Sequence, residues 1–416
     1  MFDRPPKERE ALSWSYVVLW AAVIFVTVPF VRGGVSFVRE HWGSWVFTYG
    51  VVASAALAAA AALYATRRRW SLASCAWLLG LAGLVIYLTF GLAEGSAEEA
   101  VHYVQYGLLS ILLFRAFSHR VRDYSIYVAA TIGGTFVGMV DETVQWLTPR
   151  RYFDLRDIWL NLTAVALVQA ALAAGVRPRM IAGWPGWRGV RRLCYLGALT
   201  LGYFGLCLQN TPDRIAWYSA NVPGLGFIDP NQSIMVEYGY LHGSDAVGFF
   251  RSRLTIEELR RSATERAEEG RQIIDQYRDR EQYMRFLEIY SPLADPFLHE
   301  TRVHLLRRDV YLARALKNED EVEQAEQFAT AFWENRILRA YFDEVLRGSS
   351  YEWSAEQAAL VAENTDRSEP YESRVSYHLI VRFSPMQHAM LFSSAVAALL
   401  LVAAYGRRAS RPTGAD

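Results

Sequence analysis

The sequence predicts an all-α protein: a polytopic membrane helix bundle of about eight spans that carries a helical extracytoplasmic domain. Two observations predict it. First, the apolar residues, 52% of 416, gather into runs. Five of these, 14–31, 44–65, 71–93, 158–175 and 386–405, have 18 to 23 residues nearly free of charge. That length crosses a hydrocarbon core of about 30 Å. Second, the zero net charge conceals a split. Residues 211–385 hold 21 Lys and Arg against 30 Asp and Glu, a net of −9, and the rest of the chain is +9. Two parts so different in charge belong in different surroundings.

Taken in order, the basic N-terminus MFDRPPKERE leads into 14–31. This run is longer than a signal-peptide core and lacks a small-x-small cleavage site, so it reads as an uncleaved first helix. Runs 44–65 and 71–93 follow. Three shorter runs, 101–117, 124–140 and 193–208, are near the lower length limit, with polar ends suited to the interface or to a bundle interior. Run 158–175 is the sixth span and 386–405 the eighth. Between the seventh and eighth spans, residues 254–290, 297–316 and 321–346 place apolar side chains three and four apart, the helical period. Ser354 and Gln357 start a further helix by a capping box. The expected divisions are a two-span segment 1–69, a membrane core 70–176, a loop with the seventh span 177–210, the acidic helical domain 211–385, and the last span with its basic tail 386–416.

Basic residues alternate between loops. Arg4, Lys7 and Arg9 precede the first span and Arg67, Arg68 and Arg69 follow the second. Arg115, Arg120 and Arg122 lie between the fourth and fifth; Arg177, Arg179, Arg188, Arg191 and Arg192 precede the seventh; Arg407, Arg408 and Arg411 close the chain. With eight spans all of these share one side, and the positive-inside rule makes it cytoplasmic, with both termini there and 211–385 outside. The expected site of such a chain is a bacterial inner (plasma) membrane. Glu94, Glu98 and Glu99 then fall outside, as does the segment 140–163. Arg150, Arg151 and Arg156 break the trend, being basic on the outer side.

Several classes are disfavoured. The basic residues form no stripe, which argues against nucleic acid. Cys75, Cys194 and Cys207 lie in apolar runs and the acidic block has none, which leaves that block no disulfide and the chain no Cys-based zinc site. No HExxH, GxSxG or P-loop is present, and no metal or other cofactor is expected. His299 and His304, five apart, read as surface residues.

Three polar groups stand where charge is costly. Glu98, His102 and Tyr106 share a helix face by their spacing, with Glu99 beside them. Asp141 and Gln145 share another, with Glu142 beside it, and follow Gly134 and Gly138, a small-xxx-small pattern that admits a close helix. Asp154, Asp157 and Asn161 open the sixth span. Convergence of these groups at the outer membrane boundary is the expectation, with Gly134 and Gly138 letting the helix of His102 approach.

His102 and Tyr106, then Glu142-x-x-Gln145, Pro149, Arg151, Asp157 and Asn161, resemble in order and spacing the VanZ-like family of membrane proteins, over residues 70–175. That family is named for a protein associated with teicoplanin, and so glycopeptide, resistance in bacteria, and its biochemical activity is not established. The family often has an Asp-Lys pair before the His, where this chain has Glu98-Glu99 and a more anionic cluster.

Three readings follow. In the first, the polar residues make interhelical bonds only, and the protein is a scaffold. In the second, the protein binds an anionic lipid or cell-wall-precursor-type ligand at the outer membrane face through Tyr106, Asp141, Gln145, Arg150, Arg151 and Asn161, because the planar fork of arginine grips phosphate. In the third, a membrane-embedded enzyme acts on a lipid-linked phosphate, with His102, Glu142 and Asp157 as catalytic candidates. Binding is the favoured expectation. The expected partners are membrane lipids, that anionic ligand, and a protein partner for 211–385.

Overall fold

The computed structural model describes residues 6–93, 96–149, 151–230, 233–375, 380–381 and 383–409. Glu94, Arg150 and His378, with Arg4 and Arg411, lie outside them. Among the described residues 72% are helical, in sixteen α-helices, with almost no sheet. The chain divides into two compact units, residues 1–207 with 390–416, and residues 208–389.

The first unit contains α1 (Glu10–Trp42), α2 (Trp45–Thr66), α3 (Leu72–Ala93), α4 (Val101–Phe117), α5 (Ser125–Trp146), α6 (Leu155–Ala170) and α7 (Trp187–Cys207). A π-helical turn, Ala171–Val176, extends α6. The last helix, α16 (Pro385–Ala409), returns the chain to this unit. Among the described residues, six helices are long and apolar enough to cross a membrane: α1, α2, α3, α4 with the 3-10 turn before it, α6 with its π turn, and α16. The other two expected spans form as helices, α5 of 22 residues and α7 of 21. Asp141 and Glu142 in α5, and Arg188, Arg191 and Arg192 in α7, dilute their apolar content.

Burial explains the difference. In α4 half of the spanning window is buried inside the protein, against 11% in α2, α3 and α16. α4 packs on α1, α5 and α6, and α5 packs on α6 and α7. Their core includes Val17, Val51, Tyr106, Leu109, Leu113, Ala130 and Val165. Interior helices contact protein and tolerate polar side chains; peripheral ones expose Leu57, Leu72 and Leu401 at 72, 93 and 70%. So much exposed apolar surface does not occur on a water-soluble domain. It is the surface of a multi-pass membrane protein.

The second unit is mostly helical, with α8 (Pro212–Asn221), α9 (Ile256–Glu265), α10 (Ala267–Gln276), α11 (Arg280–Ile289), α12 (Pro296–Ala315), α13 (Glu321–Tyr341), α14 (Asp343–Leu346) and α15 (Ala355–Glu363). The long helical stretch expected over 254–290 is three helices. Thr255 and Glu258 form a capping box for the first. Asp295 accepts from Leu298 N–H (3.0 Å) ahead of Pro296 at the start of α12. Ser354 accepts from Gln357 N–H at 3.1 Å, which is the serine half of the capping box expected at α15. α12 and α13 pair along their lengths over a core of Phe250, Leu259, Ile274, Phe297, Leu305, Ile337 and Phe342.

Two small sheets were not expected. β2 (Tyr240–Ser244) and β3 (Gly248–Ser252) form an antiparallel hairpin in which Tyr240 faces Ser252 and Ser244 faces Gly248. β3 buries alternate residues, including Phe250 and Ser252, the period of a half-buried strand. β1 (Glu237–Tyr238) pairs in parallel with β4 (Ile380–Val381).

The surface reading of the histidines is wrong. His304 is fully buried, and its Nδ1 is 2.6 Å from Glu334 Oε2. Glu334 also accepts from Tyr371 (2.7 Å) and Ser373 (2.6 Å), and Arg307 is 3.0 Å away. Burial acts to raise the Glu334 carboxyl, yet His304 and the two hydroxyls hold it below the usual range. His299, partly buried, donates from Nδ1 to Tyr290 O at 3.1 Å.

A polar site where α4 and α6 begin and α5 ends

Helices α4 and α6 begin, and α5 ends, at the same end of the first unit, and the polar residues of all three meet there. Gly134 and Gly138 make the approach possible, but for a different helix than expected. A Cβ on Gly138 would stand 2.9 Å from the Asn161 Cβ, and one on Gly134 would stand 2.7 Å from Val165. The glycine face of α5 therefore receives α6, and α6 carries Asn161 toward α4. His102 Nδ1 is 2.7 Å from Asn161 Oδ1. With the amide oxygen accepting, Nδ1 holds the proton, and Nε2 faces Asp157 Oδ2 at 4.0 Å. That separation is an ion-pair distance but too long for a hydrogen bond.

Tyr106 stacks one turn along α4 from His102, with ring planes 9° apart. It is fully buried and donates to Asp141 Oδ2 at 3.0 Å. Among the described residues, Asp141 Oδ1 and Asn161 Nδ2 are buried without a hydrogen-bond partner. Such atoms cost free energy unless water or a ligand reaches them.

A second string shapes the α5–α6 loop. Glu142 is fully buried and accepts from Gln145 Nε2 (2.6 Å) and from Asp154 N–H (3.0 Å). Gln145 Oε1 in turn accepts from the Arg151 guanidinium. Asp154 caps α6 by accepting from Arg156 N–H at 2.8 Å. With both oxygens occupied, Glu142 holds the loop.

The remaining acids tie the periphery. Glu98 pairs with Arg39 at 2.7 Å and Glu99 with Arg156 at 3.1 Å. Glu98 thus ties this end of the bundle to α1. His102 and Asp157 keep side-chain exposures of 16 and 18%, and Arg151 is partly buried. These three are partly accessible. Among the described residues, no group of three or more His, Cys, Asp or Glu could hold a metal ion.

Residues 13–173 match the VanZ/LLP1 family. This membrane segment is VanZ-like. The match begins in α1, so the VanZ-like segment includes the first two helices as well as the motif region 70–175. No curated protein and no solved structure matches the chain.

The sequence reading missed what α1 contributes. It ended the first span at 31, yet the helix runs to Trp42. Arg32 and Arg39, seven apart, lie on one face of that extension, and Arg39 reaches Glu98. The available signal was the lack of a helix breaker between Gly34 and Gly43. Also missed was a buried link in which Ser110 donates to Val165 O (3.0 Å) and Gln169 donates to Ser110 Oγ (2.8 Å). It fixes the register of α4 on α6.

Proposed function

We propose that the VanZ-like unit binds an anionic envelope molecule, a lipid or cell-wall-precursor-type ligand bearing phosphate or carboxylate, at the end of the bundle that holds Arg151. This end faces outward across the bacterial plasma membrane, and both chain termini are cytoplasmic. One observation carries the reading. Arg151 is partly buried, and among the described residues its guanidinium has a single hydrogen-bond acceptor, the neutral Gln145 amide oxygen, while Glu142, Asp157 and Asp141 act on it only from beyond ion-pair distance. A guanidinium presents five donors and no acceptor, and leaving it mostly unpaired near membrane depth is costly. A bound oxyanion supplies the missing acceptors.

The test compares Arg151→Ala with Arg122→Ala, whose parent side chain lies at the opposite end of α5 and reaches Met180 Sδ at 3.1 Å. With the protein in phosphatidylcholine nanodiscs and a polyprenyl phosphate as probe, Arg151→Ala weakens binding about tenfold or more, and Arg122→Ala leaves it unchanged. Equal effects of the two substitutions leave only the scaffold.

A second reading has one observation in its favour. His102 is oriented by Asn161 with Nε2 toward Asp157, the arrangement of a base held by a second group. Loss of turnover of the polyprenyl phosphate with binding retained in His102→Ala identifies chemistry at the site. Equal turnover by the parent and the variant removes the catalytic reading.

A further inference from the structure

α1 has 33 residues, about 50 Å of helix, whereas a bilayer core needs about 30 Å. Its last turns therefore project past the core at the end where α5 meets α6. Arg39 on this projection is paired with Glu98, and Arg156 with Glu99. At the other end Arg115 pairs with Glu8 and Arg120 with Glu10. Arg32 departs from this pattern. Its guanidinium carbon stands 6.0 Å from the centre of the Tyr152 ring, beside Arg151 in the chain. Among the described residues neither Arg32 nor Arg151 has a carboxylate at ion-pair distance, and Glu142, Asp157 and Asp141 act on Arg151 only from farther away. Arg32 also acts on Arg151: burial, followed by Arg32, pushes the Arg151 guanidinium below its ordinary value against the opposing pull of Glu142, Asp157 and Asp141.

We infer that Arg32 and Arg151 form a two-arginine clamp around one phosphate or carboxylate group, so that α1 supplies half of the anion site. The inference rests on the binding reading proposed above and adds the second cation and the preferred charge. An anion between the two guanidiniums relieves their repulsion and accepts a fork of hydrogen bonds from each. A phosphomonoester, which carries up to two charges and three terminal oxygens, gains more from two forks than a phosphodiester with one charge and two such oxygens. The unit therefore prefers a monoester headgroup.

The full chain in phosphatidylcholine nanodiscs is titrated with a polyprenyl phosphate and, separately, with phosphatidylglycerol. The parent binds the monoester more tightly. Arg32→Ala, at an exposed position, loses about tenfold or more of monoester affinity and most of the preference over the diester. Arg32→Lys keeps the charge without the fork and falls between. Arg32→Ala with Arg151→Ala loses less than the product of the two single losses, because both side chains hold the same group. An unchanged affinity in Arg32→Ala beside a loss in Arg151→Ala overturns the clamp and leaves the binding reading standing. Independent, multiplicative losses also overturn it, since they place two anions on two arginines. No loss in either variant overturns the binding reading itself.

Discussion

Glu142 shows how one residue beside an apolar run serves structure. Both of its oxygens take N–H donors, one from Gln145 and one from Asp154, so the acid is satisfied where water does not reach. The carboxylate spacing in the sequence placed it near Asp157, but spacing does not show which oxygens are already occupied. His299 makes a complementary case in the acidic unit. Burial, with Arg253 nearby, pushes its imidazole from 6.5 down to about 4. Between these values the folded chain binds fewer protons at this site than the unfolded chain does. Its contribution to stability is complete above pH 6.5 and is lost as the pH falls toward 4. In denaturant titrations of the detergent-solubilised chain, His299→Gln should therefore flatten the decline in stability across that window. A parent and variant with parallel pH profiles would show that His299 charges as freely in the fold as in the unfolded chain.

At the scale of elements, the meeting of α5 with α6 decides the site. Two glycines four apart give α5 a bare face, and Val165 and Asn161 fill it. The same pattern was legible in the sequence, but its partner was not, because a small-residue face fits any helix of suitable relief. Gly138→Ala sets a methyl 2.9 Å from the Asn161 Cβ and should cost about 1–3 kcal/mol by overpacking. It should also displace Asn161 from His102. Gly80→Ala in α3, with nothing within 4 Å of its added Cβ, should be neutral or stabilising through helix propensity. Thermal midpoints of the two variants in one detergent provide the comparison, and equal midpoints would remove the tight α5–α6 contact.

For the whole molecule, the alternating arginines predict which ends of the helices share a side. In a background lacking Cys75, Cys194 and Cys207, Glu265→Cys on α9 should react with an impermeant thiol reagent applied to intact cells. Arg179→Cys, in the basic loop before α7, should react only after the membrane is opened. The reverse pattern inverts the chain and moves the Arg151 end to the cytoplasmic face.

The sequence alone determined the membrane class, the helices, and the set of polar residues that meet at one end of the bundle. Those properties follow from composition and period: apolar runs of span length, helical spacing in the acidic block, and charges at the ends of α5 and α6. It also contained the ordered residues that carry the VanZ-like resemblance. Only the tertiary structure decided which groups pair. It tied Glu142 to the loop, turned Glu98 toward Arg39, buried His304 against Glu334, and left Arg32 and Arg151 with no carboxylate at ion-pair distance among the described residues. It likewise set the β2–β3 hairpin, whose strands are short and of which β3 acquires its alternating burial where it packs on α13. The physical reason is common to all of these. Periodicity specifies which face of an element a side chain occupies, but a hydrogen bond or ion pair forms over about 3 Å, and that distance depends on which two faces pack together.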